Sequence, residues 1–354
     1  MPTLRLSGTV TGPNDPHRSL RAQLLHDLFD AGWDIKNSNG NEEISLCNIE
    51  QKIIESDAFV FTPGATLQDI FKAISIFVGY QTLDKHLAGK PTIILNDDQS
   101  WDPIFHLLTH LNKLGTVKQN YRDYLLLADD PAQATETLQA FLQKSQGLPP
   151  IDREPLAEKQ AMPTDANTPA PDDLIGNVCV FCSASIEKDD YISDGEALGR
   201  ELANNKLGCV SGAGKTGIMG AVVRGSVEAK GWTAGSNVPH IIELEGLPEG
   251  LSSFWLRDDI YTRMEVMIDN SDAFVIFPGG SGTVQELLAL LIFRQHGHHL
   301  MQDKPIVIFN RLDSSGERFW EPLVELLAQY CQPDQYTIVN ELDEIIPAIK
   351  ERLK

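Results

Sequence analysis

The stretch Asp272-Ala-Phe-Val-Ile-Phe-Pro-Gly-Gly-Ser-Gly-Thr-Val-Gln-Glu286 decides the fold. Asp272 to Phe277 is a short apolar, β-favouring run closed by a Pro-Gly-Gly breaker, which predicts a buried strand. From Thr283 onward, Val284, Leu287, Leu288 and Leu291 share one helical face. Between the two, Gly279, Gly280 and Gly282 allow positive φ and leave backbone N–H groups uncovered. Such N–H groups at a helix start, with the positive end of its dipole, form an anion site suited to phosphate. Glu286 follows one turn into the helix, within reach of a sugar whose phosphate is held at the turn. A local reading competes: Thr283-Val-Gln-Glu286 fits a capping box, in which the glutamate bonds the cap N–H and does no chemistry.

Outward from this stretch, strands alternate with helices. The first half predicts strands at Leu4–Val10, Asp57–Phe61, Pro91–Leu95 and Tyr124–Leu127, with an amphipathic helix around Leu20–Ala31. The second half restarts at Asn177–Cys182, followed by a helix through Ala197, Leu198 and Leu202. Leu207–Ser211, the turn Gly212-Ala-Gly-Lys-Thr-Gly217 and a helix to about Lys230 come next. Trp232–Val238 and His240–Leu244 read as strands, then a helix near Ile260–Met267, then strands at Pro305–Phe309 and Tyr336–Val339. This alternation predicts an α/β protein with parallel, doubly wound sheets, whose ligands bind at the carboxyl ends of strands. Residues 146–175, rich in Pro, Ala and acids, read as an extended linker between domains at 1–145 and 176–354.

The halves repeat each other. Ser56-Asp-Ala-Phe-Val60 returns as Ser271-Asp-Ala-Phe-Val275, and Lys90-Pro-Thr-Ile-Ile-Leu-Asn96 as Lys304-Pro-Ile-Val-Ile-Phe-Asn310. Trp101-Asp-Pro-Ile-Phe-His-Leu-Leu108 returns as Trp320-Glu-Pro-Leu-Val-Glu-Leu-Leu327. Three collinear matches indicate an internal duplication. The first copy is damaged at its turn: Thr62-Pro-Gly-Ala-Thr66 stands for Phe277-Pro-Gly-Gly-Ser-Gly-Thr283, and Asp69 for Glu286. It has no counterpart of Gly212–Gly220 and is shorter there by roughly one βαβ unit. The intact turn of the second copy therefore reads as functional, since packing alone did not require it in the first.

The 354 residues carry a net charge of −21, which argues against a nucleic-acid polymer or an anionic membrane as partner. No run approaches the roughly 18–20 apolar residues of a membrane span, and Met1-Pro-Thr-Leu-Arg-Leu-Ser-Gly8 has no signal core. Five cysteines are scattered, and Cys179-Val-Phe-Cys182 lies in an apolar run, so buried thiols in a reducing cytoplasm are expected.

Gly212–Gly217 fits the dinucleotide pattern G-x-G-x-x-G, but Trp232 to His240 lacks the acidic residue that pattern needs. Its Gly-Lys-Thr ending evokes a phosphate-binding P-loop, but Cys209 stands where the leading glycine belongs. Arg294-Gln-His-Gly-His-His299 reads as a helix terminus with exposed imidazoles before it reads as a metal cluster.

Taken together, these segments resemble the Lonely Guy (LOG) family of cytokinin-riboside or nucleoside 5′-monophosphate phosphoribohydrolases, often labelled lysine decarboxylases. The family's G-G-G-x-x-G-L-M-G is here Gly-Ala-Gly-Lys-Thr-Gly-Ile-Met-Gly220, and its P-G-G-x-G-T-x-x-E is intact as Pro278 to Glu286. Its Arg-Lys pair is Arg263-Met264, and its V-F-C-G-S-S is Val180-Phe-Cys-Ser-Ala-Ser185. The resemblance covers residues 177–354 and implies two Rossmann-like domains, the first degenerate. It implies hydrolysis of a nucleoside 5′-monophosphate to base and ribose 5-phosphate, with Arg263 and Glu286 catalytic. Ser185, Gly212, Gly214, Thr216, Gly217, Met219, Gly279, Gly280, Ser281, Gly282 and Thr283 would line the substrate. Glu286 would hold the ribose and stabilise its developing positive charge; Arg263 would pair with phosphate or assist the departing base. For Arg263 the residues alone suggest a solvated helix charge paired with Glu265 or Asp269. No cofactor and no metal are implied, and pyridoxal phosphate is disfavoured because no lysine flanks the phosphate turn. The family also implies a homodimer or higher oligomer, for which the first domain could act as an intrachain pseudo-subunit. A non-catalytic nucleotide sensor using the same turns is the alternative.

Overall fold

A computed structural model describes residues 1–8, 14–37, 46–143, 147–151, 162–312 and 316–353. The chain divides into two compact units, Met1–Asp152 and Arg153–Lys354. Unit 1 runs β1 (Thr3–Ser7), α1 (Arg18–Asp30), β2 (Asp34–Asn37), α2 (Cys47–Ile54), β3 (Ala58–Phe61) and α3 (Leu67–Gln81). It continues with β4 (Thr92–Leu95), α4 (Asp102–Lys113), β5 (Leu125–Ala128) and α5 (Pro131–Leu142). Its five strands pair in parallel in the order β2-β1-β3-β4-β5.

Unit 2 opens with β6 (Ala166–Asn167), β7 (Gly176–Phe181), α6 (Asp189–Asn204), β8 (Leu207–Ser211), α7 (Gly217–Glu228) and β9 (Thr233–Asn237). Then come α8 (Pro239–Glu245), β10 (Ser253–Leu256), α9 (Ile260–Asp269), β11 (Ala273–Ile276) and α10 (Ser281–Gln295). β12 (Ile306–Phe309), α11 (Glu321–Tyr330), β13 (Thr337–Val339) and α12 (Ile345–Arg352) complete it. The sheet order is β13-β12-β11-β7-β8-β9-β10-β6, parallel except for β6 at the edge.

The repeat holds down to single hydrogen bonds. Lys90 Nζ donates to Ile53 O at 2.8 Å, and Lys304 Nζ donates to Ile268 O at 3.0 Å. Asn96 Oδ1 accepts from the Trp101 N–H at 2.9 Å, as Asn310 Oδ1 does from Trp320 at 2.8 Å. Asp57 and Asp272 each receive the N–H of the neighbouring first strand, from Thr3 and Asn177. Among the described residues, unit 1 has no counterpart of α7 or of the βαβ unit β9–α8–β10; after β2, which ends at Asn37, the next described element is α2, which begins at Cys47.

Two expectations change. His240–Leu244 is helical: Pro239 opens α8 and Gly246, at φ +70°, ends it, and the second outer strand is instead Ser253–Leu256. The stretch read as linker is docked at its far end. β6 pairs antiparallel with β10, Trp232 Nε1 donates to Thr168 O at 2.8 Å, and the Leu256 N–H reaches Asp165 Oδ1 at 2.6 Å.

In unit 2, β7 lies between β8 and β11, and strand order departs in opposite directions from it. That switch point is where open parallel sheets leave a crevice at their carboxyl ends. The Ser183 N–H donates to Pro278 O at 3.1 Å, stitching the loops after β7 and β11 together at that point.

Candidate active site

Three loops converge at the carboxyl ends of β7, β8 and β11. The strand β11, Ala-Phe-Val-Ile, is fully buried, and its apolar side chains fix where the Pro278–Gly280 turn emerges. Gly279 is required there, because a Cβ would lie 2.1 Å from Thr283 Oγ1. α10 starts at Ser281, two residues before Thr283, with Gly280 as its N-cap and no side-chain cap bond. The capping-box alternative therefore fails: Thr283 is inside the first turn and Glu286 is too far along to serve the cap. Helix geometry leaves the first-turn N–H groups, Gly282 and Thr283 among them, without intrahelical acceptors. They face the crevice end of the helix, as an anion site requires.

Glu286 is 7% exposed. Burial raises its carboxyl from 4.5 to about 7; the Arg263 charge opposes the rise and Glu245 adds to it. Arg263, 8% exposed, comes from α9 and is no solvated helix charge. Its Nε donates to Ser236 O at 2.9 Å and its Nη2 to Gly212 O at 3.0 Å, so the carbonyl ends of β8 and β9 aim it. Asp259 caps α9 by accepting from the N–H groups of Tyr261 and Thr262. Met264, standing where the family has lysine, is 2% exposed and belongs to the core.

The turn after β8 is built differently. Gly217, at φ +61°, carries no Cβ where one would fall 2.5 Å from the Ala184 carbonyl carbon. Thr216 Oγ1 donates to Ala184 O at 2.7 Å, and Met219, 6% exposed, accepts the Gly214 N–H on its sulfur at 3.0 Å. The Ala213 N–H donates to Ser211 Oγ at 3.2 Å, and Ala213 keeps φ +52° without being glycine. Ser185 is exposed at the mouth, with its N–H and hydroxyl on Ser183 Oγ at 3.0 Å each. The structure thus gathers the expected residues at one end of the sheet and adds Ser183 and Glu245. Glu245 Oε2 lies 3.1 Å from where a Cβ on Gly214 would be. No motif announced Glu245, because the segment before it read as a strand.

The histidine run lies elsewhere. α10 ends at Gln295, Gly297 takes φ +64°, and the His298 ring stacks on Phe293 with centroids 4.3 Å apart. Cys179, Cys182, Cys209 and Cys331 are free and buried.

Unit 1 has filled its own turn. The Gly64 N–H donates to Asp98 Oδ2 at 2.8 Å and Ser100 Oγ at 3.0 Å, and the Ala65 N–H to Ser100 Oγ at 3.1 Å. Arg21, 5% exposed, donates to Pro63 O and Thr62 Oγ1 and pairs with Asp15 at 2.5 Å. Burial works to raise the Asp98 carboxyl, but the bonds from Ser100 and Gly64 and the His17 charge outweigh it and hold it below its ordinary value. Asp69 forms the capping box with Thr66 and accepts from Ser7 Oγ at 2.5 Å.

These features define a doubly wound α/β protein with one glycine turn whose helix lacks a side-chain cap and one turn filled by its own side chains. The family described as "Possible lysine decarboxylase" matches residues 33–138 and again 219–351, once in each unit. The chain belongs to that family, the Lonely Guy (LOG) family. It is 35% identical over 134 residues to cytokinin riboside 5′-monophosphate phosphoribohydrolase LOG5 of Arabidopsis thaliana, covering 38% of this chain and 58% of that protein. It is 27% identical over 216 residues to the probable phosphoribohydrolase LOGL9 of Oryza sativa subsp. japonica, covering 56% of this chain and 94% of that one. A molybdenum cofactor binding protein from Rippkaea orientalis aligns at 18% identity and a TM-score of 0.39, over 50% of this chain and 97% of that chain, a likeness that bears on no point of function. Among the described residues, no helix is long and apolar enough to cross a membrane.

Proposed function

We propose that unit 2 hydrolyses the N-glycosidic bond of a nucleoside 5′-monophosphate, releasing free base and ribose 5-phosphate. The observation that carries this reading is the buried Glu286 beside Arg263 at a glycine turn whose helix start is uncapped. The activities for which the relatives are named support the same chemistry. Breaking the bond between C1′ and the base nitrogen leaves positive charge on the ribose, which a nearby carboxylate stabilises. Water then bonds to C1′, and one of its protons ends on the departing base. A carboxyl titrating near 7 is populated in both forms at neutral pH, so Glu286 can accept a proton from water and return it. Arg263, aimed by two carbonyls, contributes a fixed positive charge for the phosphate or for the base as it leaves with the bonding electrons.

The test is incubation of the full chain with a panel of nucleoside 5′-monophosphates and chromatography for released base. Release from at least one substrate is expected, and no release from any ends the hydrolase reading. Met264, buried where the family keeps lysine, favours a second reading of nucleotide sensing without turnover; tight binding with no release would support it.

A further inference from the structure

At the amino ends of β12 and β13, the opposite end of the sheet from the glycine turns, lies a cavity of about 740 Å³, room for a small molecule. Arg294, Lys304 and Arg352 line it, with His298 in its wall. Backbone carbonyls hold all three cations. Arg294 donates to Gln335 O and Lys304 O, Lys304 Nζ to Ile268 O at 3.0 Å, and Arg352 Nη1 to Asp334 O at 3.3 Å. Among the described residues, none of the three forms an ion pair with a carboxylate. Carbonyl bonds leave the charges uncancelled and most of the N–H groups unused. Burial and the Arg352 charge both work against the charge on Arg294; Asp334 and Asp303 support it more weakly.

The first copy shows that the fold does not need a positive charge at residue 294. Tyr80 holds the matching place, second from the end of α3 as Arg294 is of α10. Its hydroxyl donates to Lys90 O at 2.5 Å, the bond that Arg294 makes to Lys304 O. Its ring packs on Tyr124, just before β5, with centroids 5.7 Å apart. A neutral phenol thus ties the helix end to the strand and fills the space, where unit 2 has a half-buried guanidinium at a cavity. A basic residue suits any helix carboxyl end, yet α3 ends without one. Asp303, Asp334 and Glu351 also line the cavity but are exposed, so its half-buried charges are Arg294 and Lys304. We infer that this cavity is a second ligand site, where Arg294, Lys304 and Arg352 take one compact oxyanion, a phosphate or a carboxylate, of a small metabolite. The exposed acids make its mouth unfavourable to a ligand with charge spread along its length.

Calorimetric titration of the full chain with inorganic phosphate, and separately with succinate, tests the site. The wild type should bind at least one of the two, and the one preferred names the head group. Arg294→Tyr installs the residue of the first copy, so its melting temperature should stay within about 2 °C of the wild type. Its affinity for the preferred oxyanion should fall roughly tenfold or more, the loss of a charge-assisted contact. Arg352→Gln alters an exposed residue and should weaken the same binding several-fold, which keeps the test alive if Arg294→Tyr does not fold. Phosphate held at the Gly279–Thr283 turn would persist in both variants. Isotherms that both variants leave unchanged therefore report that turn alone and overturn the second site, as does a wild type that binds neither oxyanion. These readings do not depend on base release, so a chain that hydrolyses no nucleotide would leave this inference standing.

Discussion

The carboxyl ends of β3 and β11 present the same strand, turn and helix with their polar groups put to different uses. After β3, Thr66 caps α3, Asp69 closes the capping box, and Asp98 and Ser100 take the Gly64 and Ala65 N–H groups. After β11, two further glycines let α10 begin at Ser281, before Thr283, and no side chain caps it. Glu286, the counterpart of Asp69, is left buried with a carboxyl raised to about 7. An acid that serves the backbone is stabilising; an acid withheld from the backbone is costly, which accords with the role proposed for Glu286.

Substitution at the two acids should separate these roles most sharply. Glu286→Gln should lower base release by roughly 10²–10³-fold while nucleotide binding and folding persist, measured as turnover and melting. Asp69→Asn should leave turnover within twofold. Comparable losses from both would erase the contrast.

The pH dependence of stability gives the next effect. Because the folded state raises the Glu286 carboxyl, it binds that proton more tightly than the unfolded chain does. The resulting stability is fully present below 4.5 and lost as pH rises through about 7. The loss amounts to about 3 kcal/mol. Urea melts of Glu286→Gln should lack this decline and show a variant more stable than the wild type at pH 8. A decline of the same size in both proteins would remove Glu286 as its source.

In unit 1 the signs reverse. Thr66→Ala should cost about 1 kcal/mol through loss of the cap, with base release unchanged. Denaturant titration showing no loss would mean that the box is ornamental.

Ala213→Gly should move stability by less than about 1 kcal/mol. Relief of the left-handed alanine at φ +52° is offset by the lost methyl, which packs with Ile242 and Phe254. A change well above that would show that strain at residue 213 had been misjudged.

Much of this arrangement was legible in the residues. The repeat could be read because Lys90 and Lys304, and the paired Asn and Trp residues, make the same bonds in both units. The glycine turn could be read because close approach at Gly279 tolerates no other residue. α8 was misread because a short apolar run fits either period, and its true markers were Pro239 and Gly246. With α8 taken for a strand, nothing placed Glu245 over Gly214. The helix start at Ser281 was also hidden, since Thr283 carries the same local pattern that does cap in the first copy at Thr66.

The two-residue strand β6 has a consequence for solubility. Without it, β10 would be the margin of the larger sheet, offering its free N–H and C=O groups to any other chain. Ala166 and Asn167 occupy part of that margin, and the Asp165 and Thr168 bonds to Leu256, Trp232 and Ser253 hold the segment in place. The connecting segment therefore also acts as a selvedge, a finished border that keeps one molecule's sheet from being extended by another's.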